Sequence, residues 1–401
     1  MIRTLALAAL LMAVGAAAGA APVRIDNPAQ PSGGVTTATV TERWRAGGED
    51  DEVFFGNVGA VMLDPEGNIL LLDSQLSEVH VFSPEGDLLR TICGEGDGPG
   101  EARRPGDMLV AADGTVCVLQ GFPGRIVMLH PDGTPAGEGR YSTGQEGEGQ
   151  FSVLVRGLAL PDGMLLAGIS MDFGGGAVSN QNYFLAACDG TGLRRNLLLD
   201  KVYTINYADF ELAEAGMDFI WTRLAAGPDG TVYCAPDRDL YEIHAFGGTG
   251  EPARIITRPF VNVPRTAAQK TIARQILEGV GANYPAPLRR TPIEETNQVV
   301  AGMWATDRGD LWVQTSPGIT PAPGDCWVAL DVFDAAGTWI RQVGLPGDFD
   351  ADKDGLTILR DGTVVVTVGA LDAFLSQQAV GAEESAAAAD PLEVIVYGIS
   401  F

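Results

Sequence analysis

Apolar positions along this chain come in short, strand-length runs, each ended by a polar turn rich in glycine and proline. The stretch from Phe55 to Pro105 sets the pattern. Four apolar runs follow one another, two of them joined through Pro-x-Gly turns (DPEGN at 64–68 and SPEGD at 83–87), and a glycine-rich acidic loop, GEGDGPGE, closes the unit. Glycine accepts positive φ and proline presets the turn, so such segments join neighbouring antiparallel strands. The predicted unit is four strands in up-and-down order.

The turn pair recurs. AADGT at 111–115 precedes HPDGT at 130–134 at the same spacing, LPDGM at 160 pairs with CDGTG at 188, GPDGT at 227 with GGTGE at 247, and TDRGD at 306 with DAAGT at 334. A last turn, LRDGT at 359, has no partner, because only PLEVIVYGISF remains to form one more strand. Five units are complete and the sixth lacks a strand. The β-branched segment VTTATVTERW at 35–44, ahead of the first unit, supplies it. Radial four-stranded sheets bury their faces against neighbours and need a terminal clasp, so the pattern predicts an all-β, six-bladed β-propeller over residues 35–401, its last blade closed by the N-terminal strand.

The unit resembles the NHL repeat, a propeller blade. Asp64, Pro65, Gly67, Asn68, Asp73, Ser74, Val79, Val81, Phe82, Gly86, Gly94, Gly96, Gly98, Pro99, Gly100 and Pro105 fit its pattern. The aromatic expected after the glycines is replaced by Ala102 in unit 1, while GQEGEGQF at 144–151 and GLPGDF at 344–349 keep a Phe. The match is good over unit 1, fair over unit 2 and confined to the turns in units 3 to 6. The resemblance implies a fold and leaves activity open.

Residues 1–21 read as a secretory signal peptide: Arg3, an apolar run from Leu5 to Val14, then small residues around Ala18, Gly19 and Ala20. No other segment is long and apolar enough to span a bilayer. The mature chain is expected to be secreted or periplasmic and monomeric, with residues 22–34, rich in Pro, Gly and Ala, as a flexible leader. A formal charge of −26 repels phosphate backbones and anionic lipid, which excludes nucleic acid as a partner. Five cysteines without a CxxC pair read as mostly buried free thiols, with room for one disulfide.

Tight turns fall between first and second or third and fourth strands of each unit. The long insertions, 200–219, 262–297, 315–326 and 370–391, fall at the other ends, so one face is plain and the other carries the irregular chain. The insertion 262–297 holds a predicted helix: Thr266 and Gln269 form a capping box, Ala268, Ile272, Ile276 and Val280 make one apolar stripe, and Gly279 and Gly281 stop it. It reads as a cap on the channel mouth, the competing reading being a substrate lid.

Three sets of residues carry candidate chemistry. Asp350, Asp352, Asp354 and Gly355 give the D-x-D-x-D-G opening of calcium loops, making calcium the candidate cofactor against an ordinary solvated acidic loop. Asp361 stands where the bidentate acid of such a loop belongs, but an intervening strand at about 3.3 Å per residue carries it roughly 15 Å away. His80 and His244 on third strands and His130 at a turn belong to different units and cannot share a zinc ion. Arg103, Arg104, Arg156, Trp221, Arg223 and Trp304, with Asn57, begin first strands and are the candidate axial ligand-binding residues; their alternative is structural, arginines paired with carboxylates and tryptophans filling seams. The expected function is an exported module that binds a protein, peptide or carbohydrate ligand through its loop-rich face. The alternative is a metal-dependent hydrolase or lyase, lactonase-like, with a site at the axial mouth, which requires three or more carboxylates or amides from different blades at the axis.

Overall fold

The computed structural model describes residues 21–49, 53–144, 150–172, 176–247, 250–378 and 392–401. The expected signal peptide lies, but for Ala21, outside the described residues. Six antiparallel four-stranded blades stand in a ring, the first five in sequence order from an inner strand A to an outer strand D. Blade 1 is Val58–Leu63, Ile69–Asp73, Glu78–Phe82 and Leu88–Ile92; blade 2 is Pro105–Val110, Val116–Gln120, Arg125–Leu129 and Pro135–Arg140. Blade 3 has the longest strands, Gln150–Leu160, Gly163–Asp172, Val178–Cys188 and Arg194–Asn206. Blade 4 is Leu224–Ala226, Val232–Cys234, Glu242–Phe246 and Pro252–Thr257, and blade 5 is Val300–Ala305, Leu311–Thr315, Cys326–Phe333 and Trp339–Pro346.

Blade 6 joins Gly355–Ile358, Val364–Val368 and Glu393–Ser400 from the end of the chain to Thr39–Gly47 from its beginning. The register runs from Glu393 opposite Gly47 to Ser400 opposite Thr39. The ring is thus shut by the complementary strand, as the unit count requires.

Middle strands read as unbroken apolar runs because both of their faces are covered by neighbouring blades. Ile69–Asp73 and Val116–Gln120 are buried at every residue. The core is accordingly split into six packed seams, one between each pair of neighbours. The seam between blades 6 and 1, built from Trp44, Ala46, Val394 and Val396 against Val61, Leu71 and Phe82, is as filled as the rest. Trp44 stacks on Phe82 with centroids 5.1 Å apart. Gly86, at φ +98°, turns directly beneath that indole, and a Cβ there would lie 2.5 Å from the Trp44 ring. Only glycine satisfies both the turn and the contact.

The turns work as their composition predicts. The Asp64 carboxylate accepts from the N–H groups of Glu66 and Asn68, each at 2.8 Å, and Asp113, Asp132, Asp229 and Asp361 each accept from the threonine N–H two residues on.

The N-terminal segment corrects one expectation. Part of the stretch 22–34 is ordered strand: Val23–Asp26 adds in parallel to the outer edge of blade 4, beside Pro252–Thr257, and Val35–Thr37 adds in parallel to the edge of blade 5. Between them Asn27 donates to the carbonyls of Thr257 (3.1 Å) and Gly337 (3.0 Å) and accepts from the Trp339 N–H (2.7 Å). The D strands offer unpaired backbone groups, and this segment covers two of those edges before the chain enters blade 6.

Candidate functional site

The insertions build a cap on the face that carries the A-strand entries. Asn206 is the last residue of strand D of blade 3, so the first part of the 200–219 insertion is strand; a short helix α1 (Glu214–Met217) follows. Helix α2 (Ala267–Gly281) starts at the predicted box, with the Gln269 N–H donating to Thr266 Oγ1 (3.2 Å) and the Thr266 N–H to Gln269 Oε1 (3.0 Å). A further helix that the sequence did not announce, α3 (Ala370–Gln378), lies in the 370–391 insertion; residues 379–391 lie outside the described set. Asn283, just past α2, donates to Gln378 (2.8 Å), and Gln377 accepts from Asn57 Nδ2 (2.6 Å) at the entry of blade 1. Gly281 packs against Leu212 and Leu288, within a cluster around Ile205 and Phe210. α2 and α3 together reach across this face from the connector after blade 3 to blade 1, the arrangement expected of a cap.

One carboxylate fastens the cap. Glu214 receives both terminal nitrogens of Arg265 (2.6 Å each), Arg238 Nη1 (3.3 Å) and the Glu294 N–H (2.9 Å). Burial pushes its pKa up, but the Arg265 and Glu294 hydrogen bonds and the two guanidinium charges outweigh this and hold it below the ordinary glutamate range. A folded-state pKa that is depressed contributes stability above the unfolded value and loses it as pH falls through the folded one. Amides of α2 are therefore expected to lose hydrogen-exchange protection as the pH drops below about 4, while blade amides keep theirs. Glu214→Gln should produce the same selective loss at neutral pH; protection unchanged in α2 would show that the cap is held elsewhere.

Inside the ring, strand A of every blade contributes to an axial cavity of about 510 Å³. Met62, Val110, Leu158, Ala226 and Trp304, half-buried and drawn from blades 1 to 5, give it a largely apolar wall that Thr357 completes in blade 6. Ala370, the first residue of α3, and Gly355 line its capped end; Pro161, Pro228, Asp307 and Arg360 come from the A–B turns at the plain end. There the Arg360 guanidinium donates to the Asp64 carbonyl (2.9 Å).

Arg156 is the cation of the wall proper. Its Nη1 lies 3.3 Å from Asp107 Oδ1, across the seam between blades 2 and 3, and its side chain stays 31% exposed. Asp107 is fully buried and also accepts from the Gly157 N–H (2.8 Å). Burial pushes the Asp107 pKa up, against the pull of Arg156 and of two backbone N–H groups. Counted four residues back from each A–B turn, Ala60, Asp107, Arg156, Arg223, Gly302 and Gly355 are equivalent positions of the ring. The Asp–Arg pair is thus a contact between matching places in adjacent blades, and that alignment is the signal by which Asp107 is found.

Of the candidate axial residues, Arg156 and Trp304 line the cavity. Arg103 sits in the connector from blade 1 and pairs with Asp97 (2.9 Å) and Glu95 (3.6 Å). Arg104, also exposed, precedes strand A of blade 2, and its N–H donates to Ser77 Oγ (3.2 Å). Trp221 packs on Tyr183 and Phe219, and Asn57 turns to Ser74 as well as Gln377. Arg223 is 1% exposed and donates through Nη2 to Asp218 (2.8 Å) and the Phe219 carbonyl (2.7 Å). The A strands begin later than the apolar pattern suggests, at Pro105 in blade 2 and Leu224 in blade 4, so Arg103, Arg104, Trp221 and Arg223 lie before them.

In the Asp350 loop the carboxylates turn to groups of the protein. Asp354 accepts from the Asp350 N–H (2.8 Å) and the Gly369 N–H (2.9 Å), Asp350 accepts from the Asp352 N–H (2.9 Å), and Asp352 receives Gln269 of α2 (3.1 Å to each oxygen). The carboxylates bind their own turn and the cap, and among the described residues no three His, Cys, Asp or Glu side chains are grouped to hold a metal. Nor do the axial acids of a metal hydrolase assemble, since Asp307 is the sole carboxylate among the described residues lining the cavity. All five cysteines are free, and burial pushes the thiols of Cys117, Cys188 and Cys234 up to about 12.

Fold and cavity together define a closed six-bladed β-propeller. No protein-family model and no curated protein matches the chain. Solved structures do. A member of the DUF4221 family from Bacteroides vulgatus aligns over 91% of this chain and 99% of its own, with a TM-score of 0.51 and 11% identity. A Bacteroides fragilis protein whose name points to export aligns over 94% and 100% (TM-score 0.48, 14% identity), and the calcium-binding regucalcin of Agrobacterium tumefaciens over 93% and 95% (TM-score 0.41, 13% identity). At these identities the likeness is one of fold. Among the described residues no helix is long and apolar enough to cross a membrane.

Proposed function

We propose that the chain is an exported binding module, built from NHL-type blades, that holds a small and largely apolar ligand in its axial cavity. The observation that carries this is the wall: half-buried apolar side chains from five of the six blades beside Arg156, whose side chain stays 31% exposed. Cavities of roughly 300–1,000 Å³ with a few convergent polar groups are the usual form of small-molecule sites. A carboxylate, sulfonate or carbonyl on the ligand would answer the remaining donors of Arg156. The loop-rich face takes part as the cover of this site, and the acidic surface keeps polyanions away.

The test uses the anionic dye anilinonaphthalene sulfonate with the mature chain. Saturable binding is expected, with energy transfer from tryptophan that Trp304→Phe reduces. Asp107→Asn combined with Arg156→Met takes out the pair without stranding a buried charge, and should weaken the dye at least tenfold. Equal affinity in the double variant, or dye emission independent of Trp304, would place the ligand outside the cavity.

A further inference from the structure

We propose a second binding site, for a neutral oligosaccharide, in the groove along the seam between blades 2 and 3. It is a cleft of about 610 Å³, remote from the axial cavity, that runs from Gly124 and Phe151 at the capped side down to Thr191 at the C–D turn of blade 3.

An aromatic edge bounds it. Phe151, 42% exposed, lines the groove, and Phe122, 61% exposed, stands beside it just before the lining residue Pro123, with ring centroids 6.0 Å apart, an apolar platform on an otherwise acidic surface. Aromatic faces carry negative quadrupole density, which suits the polarised C–H face of a pyranose and gains by removing both from water. The floor is polar in the manner that sugar hydroxyls need. Ser152 and Ser170, 3.0 Å apart across strands A and B of blade 3, share one hydrogen bond and keep spare donor and acceptor capacity. Arg140 lines the groove, is exposed, and has no side-chain partner among the described residues. Arg125 beside it is engaged with Glu138 (2.7 Å) and the Gly98 carbonyl (2.8 Å), but its Nε is buried and unpartnered. Tyr141, stacked on Phe184 at 3.9 Å, makes the inner wall rigid.

A planar guanidinium, a carboxylate and two serine hydroxyls around an aromatic ledge match vicinal hydroxyl pairs, which need donors and acceptors together. A formal charge of −26 on the whole chain disfavours acidic glycans, so the ligand is a neutral sugar.

The experiment is calorimetric titration of the mature chain with gluco-, manno- and xylo-tetrasaccharides, with polygalacturonate and a proline-rich peptide as comparison ligands. At least one neutral tetrasaccharide should bind, and Phe151→Ala and Arg140→Ala should each weaken it tenfold or more. Both side chains are exposed, so melting temperatures should stay unchanged, and the Asp107→Asn with Arg156→Met chain should bind the sugar as before. The proposal is overturned if no neutral sugar binds, if only the polyuronate or the peptide binds, or if Phe151→Ala binds like the parent.

Discussion

A chain that begins at Gly48 is expected not to fold, whereas one that begins at Val35 should still fold cooperatively, with a lowered melting temperature. The first truncation removes Thr39–Gly47 and with it strand D of blade 6, opposed to Glu393–Ser400 along its whole length. It also empties one side of a seam, because Trp44 (7% exposed) and Ala46 (3% exposed) are packed against Phe82, Leu71, Val394 and Val396. A large buried aromatic alone is worth roughly 3–5 kcal/mol, and loss of the strand adds unpaired backbone on Glu393–Ser400. That sum is of the order of the whole stability of a domain, roughly 5–15 kcal/mol. The second truncation removes Val23–Asp26 and Asn27, which decorate the edges of blades 4 and 5 without closing anything. The four hydrogen bonds of Asn27, those of Ser32, Gly33 and Gly34 to blade 5, and one short parallel strand are at stake, at about 1 kcal/mol net per hydrogen bond. Near-ultraviolet circular dichroism and calorimetry separate the two outcomes. Native spectra from the chain starting at Gly48 would mean that the ring stands without its closing strand.

The closing strand is legible from sequence for the reason that makes it indispensable. Asp-Gly turns are local chemistry, so the units can be counted, and a count that ends one strand short points to the other terminus. What reads poorly is whatever depends on distant partners. Val23–Asp26 is four residues long, too short for any periodicity, and its strand character comes wholly from the edge it meets at Pro252–Thr257. α3 has no capping signature comparable to Thr266 and Gln269. Around the axis the difficulty is a single residue: register shifts at 58/60, 105/107, 154/156 and 300/302 displace the A strands relative to their turns. A shift of one residue decides which side chain reaches the channel. Arg156 and Trp304 line the channel, while Arg103, Arg104 and Trp221 lie in connectors. The Asp350 loop shows the limit of a motif, because alternate carboxylates around a glycine serve a cation or the loop's own N–H groups equally well.

Asp331→Leu is expected to lower the stability of the ring by about 3–5 kcal/mol, and Arg258→Met by a similar amount, although neither touches the cavity or the groove. The two side chains are buried between blades 4 and 5, at 0% and 5% exposure. Asp331 Oδ2 accepts from Arg258 Nε (2.8 Å) and from the Tyr241 hydroxyl (2.8 Å), and lies 2.7 Å from Arg258 Nη2. The guanidinium carbon rests 4.3 Å from the Tyr241 ring centroid and 4.8 Å from that of Trp339. Burial raises the Tyr241 pKa well above that of a free phenol, so the hydroxyl keeps its proton and remains a donor. Removing one member strands the other charge in a buried seam, and the penalty is that of an uncompensated buried ion. Replacing both, as Asp331→Leu with Arg258→Met, leaves no ion behind and should recover most of the loss. Urea unfolding of the two single variants and the double variant gives the coupling directly, as the difference between the double and the summed singles. Additive effects would show that the pair is not coupled and that the cost of each single substitution is one of packing alone.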